Sequence, residues 1–136
     1  MYNTIIVPVD MAHRDRAEIM LEIVRKLGTK DVKVILVNIV EDIPTYIAAE
    51  LPKGMLAKSR QDAEAELEAV AKASGLNVQV KVEAGHPATT ILEIAEQEKA
   101  DCIIVASHRP GLQDYLLGST AARVVRHAQC AVHVIR

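Results

Sequence analysis

The stretch D101-C-I-I-V-A-S-H-R-P-G-L-Q-D-Y-L-L-G-S-T120 changes character twice within twenty residues. It opens with D101-C-I-I-V-A106, a nearly unbroken apolar run rich in β-branched residues. A run of this kind, too short for a globular helix, marks a strand covered on both faces, as in a parallel sheet. It closes with Gly118, Ser119 and Thr120, which open the helical pattern G118-S-T-A-A-R-V-V-R-H127. Between them lies a polar connection without lysine, so the stretch is neither G-x-x-x-x-G-K-[ST] nor G-x-G-x-x-G. It reads as strand, loop and helix, and the loop either holds an anion or only joins the two.

The same grammar runs outward through the chain. T4-I-I-V-P-V9, ending at Asp10, and V32-K-V-I-L-V-N-I-V40 are further apolar strands. In N77-V-Q-V-K-V-E83 three valines alternate with polar residues, which predicts a half-exposed strand at one edge. C130-A-V-H-V-I135 is the last strand. Between them, Ala17, Met20, Leu21, Val24 and Leu27 form a helical stripe stopped by Gly28. Residues 58–74 form a second helix with Ala63, Leu67, Val70 and Ala71 on one face and Gly75 at its end. A third starts near Pro87 and turns Ile91, Leu92 and Ala95 inward. Residues 42–56 are expected to be irregular. The order βαβαβαβαβ predicts one doubly wound, five-stranded parallel α/β sheet over residues 1–136. Its strand order would be 3-2-1-4-5, with right-handed crossovers and helices on both faces, a Rossmann-like arrangement.

Composition narrows the function. The chain has 136 residues, half of them apolar, and a net charge of -2. It offers no general attraction to nucleic acid or an anionic membrane. There is no Phe or Trp and only three Tyr, so platforms for stacking bases are scarce. No apolar run reaches the ~18 residues that suggest a membrane span. The opening M1-Y-N-T-I-I-V-P-V-D10 lacks the basic and long apolar regions of a signal peptide, so the expected compartment is the cytoplasm. Cys102 and Cys130 lie in apolar segments and read as reduced thiols.

In an open α/β sheet a ligand sits beyond the carboxyl ends of the strands, where the winding reverses. The predicted order places that point between strands 1 and 4, beside Asp10 and the loop after Ala106. Gly118 lets backbone approach an anion, and Ser119 and Thr120 add hydroxyls and first-turn N–H groups. Arg109 supplies a planar cationic fork and His108 one hydrogen bond. Asp10, an acceptor only when ionised, suits ribose hydroxyls or an adenine amino group. Plainer roles compete: Asp10, Gly118 and Ser119 as caps, His108 and Arg109 as solvated loop residues. Zinc is disfavoured, because Cys130 and His133 point to opposite faces of a strand and His127 lies in the preceding turn. Ser107 and Ser119 have neither a paired base nor a G-x-S-x-G setting for covalent catalysis.

On these residues the whole chain resembles the universal stress protein family. The segments that carry the resemblance are TIIVPVD (4–10), VNIV (37–40), GHPATTILEIA (85–95) and DCIIVASHRP (101–110). Most specific is YLLGSTAARVVRHAQCAVHVIR (115–136). The best match is to the small single-domain F/G-type branch. The wider family pattern for ATP is G-x2-G-x9-G-[ST]. Here Ala106 and Arg109 stand at the first two glycines, and eight residues separate Arg109 from Gly118. The F/G branch resembles this chain in having S-[HR]-[RN]-P and the shorter spacing.

The resemblance implies an adenine nucleotide, ATP or AMP, with Mg²⁺ accompanying ATP. It implies that Pro8, Val9 and Asp10 line the adenosine side and that Ile39 meets adenine through its backbone. Ala106, Ser107, His108 and Arg109 would border ribose and phosphates, and Gly118, Ser119 and Thr120 would hold the phosphates. The expected activity is that of a dimeric stress-response sensor or regulator. A slow ATPase or phosphate-transfer enzyme and a nucleotide-free interaction module stand as alternatives. Residues 130–135 form the expected homodimer edge: they contain no Pro, Lys or acidic residue, whereas the opposite edge carries Lys81 and Glu83. Neither nucleic acid nor membrane is an expected partner.

Overall fold

The computed structural model describes residues 1–41, 43–107 and 117–136. Its sheet has the order β3-β2-β1-β4-β5, with every pairing parallel. The strands are β1 (Tyr2–Pro8), β2 (Gly28–Val40), β3 (Asn77–Ala84), β4 (Cys102–Ala106) and β5 (Ala131–Ile135). The helices are α1 (Arg16–Leu27), α2 (Thr45–Ala48), α3 (Met55–Ser74), α4 (Pro87–Gln97) and α5 (Ser119–His127). A 3-10 turn, Met11–His13, lies between β1 and α1.

The continuous apolar runs have a direct structural cause. Alternate residues of each central strand feed two separate cores. Ile5, Val7 and Val9 join Val34, Leu36, Cys102 and Ile104 under α1 and α3, whose Leu21, Val24 and Leu67 complete that layer. Ile6, Ile35, Val37, Ile103 and Val105 face the other way, against Ile91 and Ile94 of α4 and Ala121 and Val124 of α5. With both faces covered, both parities of a central strand are predominantly apolar. The edge strand β3 obeys a weaker rule. Val78, Val80 and Val82 pack on the first core, and none of the three is fully buried.

Several boundaries differ from the sequence expectation. Strand β2 starts at Gly28, four residues before Val32. Its polar opening, Gly-Thr-Lys-Asp, reads as a loop, yet Gly28 aligns with Tyr2, and the register then jumps so that Lys33 aligns with Thr4. The stretch therefore bulges against β1. Gly28 ends α1 without left-handed backbone, at φ -83°, and a Cβ there would lie 2.8 Å from the side chain of Val32. Close packing, not a positive φ, is what requires glycine. Residues 42–56 are not wholly irregular: they contain α2, and Met55 and Leu56 already belong to α3. Leu92 is half-buried, and Ile94 fills the inward position beside Ile91.

Cys102 is buried and Cys130 partly so, and both are free thiols. Burial pushes the Cys102 thiol up to about 11 and raises Cys130 as well. Neither is suited to act as a thiolate at neutral pH. No described helix is long and apolar enough to cross a membrane.

Candidate functional site: a cleft where the winding reverses

A cleft of about 930 Å³ opens across the carboxyl ends of β1 and β4. Its size falls within the roughly 300–1,000 Å³ of small-molecule sites. The exit of β1 contributes Pro8, Val9 and Asp10, and the end of β2 contributes Val37, Ile39 and Glu41. From β4 come Val105, Ala106 and Ser107, and from the start of α5 Gly118, Ser119 and Thr120. Nine site residues inferred from sequence therefore share one concavity. His108 and Arg109 lie outside the described residues.

The β1 exit is braced from below. Val9 N–H donates to Val37 O at 2.7 Å, and the buried Asn38 donates from Nδ2 to Val9 O at 2.9 Å. This amide holds the chain just before Asp10 and satisfies a carbonyl that would otherwise be left at the strand end. The sequence offered a weak signal for it, a lone polar residue within the apolar part of β2. Asp10 itself is exposed, and its Oδ1 accepts from Ala12 N–H at 2.9 Å, capping the 3-10 turn. The capping role and a place on the cleft wall thus coexist: one carboxylate oxygen orders the turn, and the residue still lines the cleft.

The opposite wall is built from backbone. Ser107 N–H donates to Ile135 O, and Ser107 O accepts from Gly118 N–H, both at 2.8 Å. These bonds fix the start of α5 against the end of β4. A Cβ on Gly118 would sit 3.0 Å from Ser107 O. The glycine is therefore already needed for this close approach, before any ligand is considered. Gly118 occupies the N-cap position, and no side chain caps the helix. The first-turn N–H groups of α5 thus open toward the cleft, with the helix dipole behind them. Such a terminus accepts anions readily.

Sequence reasoning missed His13, Arg16 and Met20, which line the α1 side, and Pro87 and Ile91, which line the α4 side. The available signal was topological: α1 leaves β1 at the same end of the sheet as Asp10, so its first turn must border the crevice. Among the described residues, no group of three or more His, Cys, Asp or Glu side chains is arranged to hold a metal ion.

Comparison with known proteins agrees with this architecture. The model of the universal stress protein family matches residues 1–136. Universal stress protein MJ0531 of Methanocaldococcus jannaschii is 28% identical over 141 residues, covering 100% of this chain and 83% of that protein. Universal stress protein G of Salmonella typhimurium is 26% identical over 143 residues, with 100% of both chains covered. The solved structure of hypothetical protein MJ0577 superimposes with a TM-score of 0.81 at 30% identity, covering 99% of this chain and 96% of that one. A universal stress protein in complex with cAMP shares the fold at a TM-score of 0.65 and 23% identity, with coverage of 99% and 97%. The Archaeoglobus fulgidus protein in complex with dAMP does so at 0.67 and 19%, with coverage of 99% and 98%. A full-length family match on this five-stranded sheet leads to one conclusion: the chain belongs to the universal stress protein family.

Proposed function

We propose that this protein binds an adenine nucleotide, ATP or AMP, in the cleft between β1 and α5 and acts as a dimeric stress-response sensor or regulator. The observation that carries the proposal is the uncapped start of α5, Gly118–Ser119–Thr120, facing the same concavity as Asp10. One wall offers N–H donors for phosphate, and the other a carboxylate for hydroxyl or amino groups. The adenosine lies along Pro8, Val9 and Asp10, with the Ile39 backbone at adenine. Ala106 and Ser107 border the ribose, and Gly118, Ser119 and Thr120 hold the phosphates. His108 and Arg109 complete the phosphate side in this scheme. ATP brings Mg²⁺ with it. The cAMP and dAMP held by two proteins of the same fold support an adenine nucleotide as the ligand class.

The dimer forms through β5. This strand pairs with β4 on one side and with no described strand on the other, and Ala131 and His133 are exposed. An unblocked edge recruits another strand, and two copies meeting antiparallel make a two-fold contact. The cytoplasm is the compartment in which such a sensor meets its nucleotide.

Thermal unfolding with and without millimolar ATP or AMP tests the binding. A ligand selective for the folded state stabilises it by about 2.7 kcal/mol at 100-fold its Kd. A rise in Tm is expected. An unchanged Tm, with no nucleotide carried through purification, overturns the proposal.

A further inference from the structure

We propose that Arg16 provides a second anion contact in the cleft and thereby makes the site read the length of the phosphate chain. The inference rests on the nucleotide-binding proposal and adds a discriminating residue to it. Arg16 is the first residue of α1, is half-buried, and lines the cleft beside His13 and Met20.

Its described surroundings do not account for it. Arg14 pairs with Glu66, Arg25 with Glu22 and the Ser74 carbonyl, Arg60 with the Val82 carbonyl, and Arg123 with His86. Arg16 makes no ion pair or hydrogen bond with any described residue. Asp10 and Glu41, the carboxylates among the described lining residues, do not pair with it, and Asp10 turns one oxygen to Ala12 N–H instead. Arg126 also lacks a described partner, but it is exposed in the last turn of α5, where a cation complements the helix dipole. Arg16 stands at the opposite pole. A cation at the start of a helix meets the positive end of the dipole, an unfavourable placement. Asp15 at the N-cap position and Glu18 in the first turn ease that placement, yet neither forms an ion pair or hydrogen bond with Arg16.

An anion removes that cost. The guanidinium fork matches phosphate oxygens. The cleft therefore offers an anion two contacts, the first turn of α5 and the side chain of Arg16. A nucleoside monophosphate satisfies only the first. A di- or triphosphate anchored at Gly118–Thr120 extends its terminal phosphates toward Arg16. An adenine nucleotide with a polyphosphate tail thus gains a contact that AMP lacks.

Isothermal titration of adenosine, AMP, ADP, ATP and inorganic tripolyphosphate into the wild type, Arg16→Ala and Arg16→Lys tests this. Arg16→Ala is expected to weaken ATP about tenfold and to leave AMP and adenosine within about twofold, with Arg16→Lys in between. A uniform loss across all nucleotides, or no loss for ATP, overturns the role of Arg16 while leaving nucleotide binding intact. If the wild type binds no nucleotide, the binding proposal fails by itself. Tripolyphosphate then decides the anion contact: binding weakened by Arg16→Ala supports it, and no binding, or binding indifferent to the substitution, overturns it.

Discussion

The two ends of the sheet treat their polar groups in opposite ways. At the amino end, the carboxylate of Asp101 accepts from Asn3 N–H and Thr4 N–H, with distances of 2.9 to 3.1 Å. Asp101 N–H in turn donates to Thr4 O at 3.0 Å, tying β4 to β1. Nearby, Glu98 lies between Lys33 at 2.9 Å and Lys81 at 3.0 Å. The two ammonium groups, Lys33 first, hold its carboxyl below the usual glutamate value. At the carboxyl end, Arg16 lacks a described partner, Asp10 makes one capping bond, and α5 begins without a side-chain cap. The polar groups named at the amino end are paired within the protein, whereas the carboxyl end, braced by the Asn38 amide and by backbone bonds, keeps these three groups only partly engaged among the described residues. On the proposed function, the contrast separates residues that hold the fold from residues placed for a ligand.

Substitutions at the two ends should therefore fail in different assays. Gly118→Val has the largest expected effect: nucleotide affinity falls by more than about 100-fold, roughly 3 kcal/mol. The new side chain would crowd Ser107 O and block approach to the first turn of α5. Gly118→Ala should fall between Gly118→Val and the wild type, and titration calorimetry on all three checks the order. Equal affinity across the series would remove the α5 terminus from the site.

Asp101→Ala comes next and acts on stability alone. It leaves two backbone N–H groups without their charged acceptor, which costs about 2 kcal/mol. Urea unfolding should show the loss while ATP affinity stays within about twofold. A large loss of affinity in a folded variant would break the division between the ends.

Asp10→Asn is the smallest and the most selective. Its amide oxygen can still accept from Ala12 N–H, so the turn keeps its cap and only the charge is removed. Affinity for adenosine is expected to fall about tenfold, or ~1.4 kcal/mol, with stability nearly unchanged. If affinity is unchanged, Asp10 is a cap and nothing more.

Much of this division can be read from the residue order, because parallel strands buried on both faces leave an unambiguous pattern. Alternation of polar and apolar residues is absent from T4-I-I-V-P-V9 for that reason, and the adjacent Ile5 and Ile6 enter different cores. Asp10 and Gly118 were legible because each directly follows or opens a strongly patterned element. The start of β2 was not, since pairing with Tyr2 overrides the turn-like character of Gly-Thr-Lys-Asp. Arg16 was hidden by a different cause. A charge next to an apolar stripe reads as solvated surface, and only the packing of α1 over β1 turns it to the cleft. Asn38 likewise acquires its meaning from a carbonyl twenty-nine positions away in sequence.

The most direct test of the contrast is an amide NMR titration with ATP. The account predicts that the resonances of Val9, Asp10, Gly118, Ser119 and Thr120 shift in a saturable way, while those of Asn3, Thr4 and Asp101 stay in place. No saturable shifts, or shifts centred on the amino end, would contradict it.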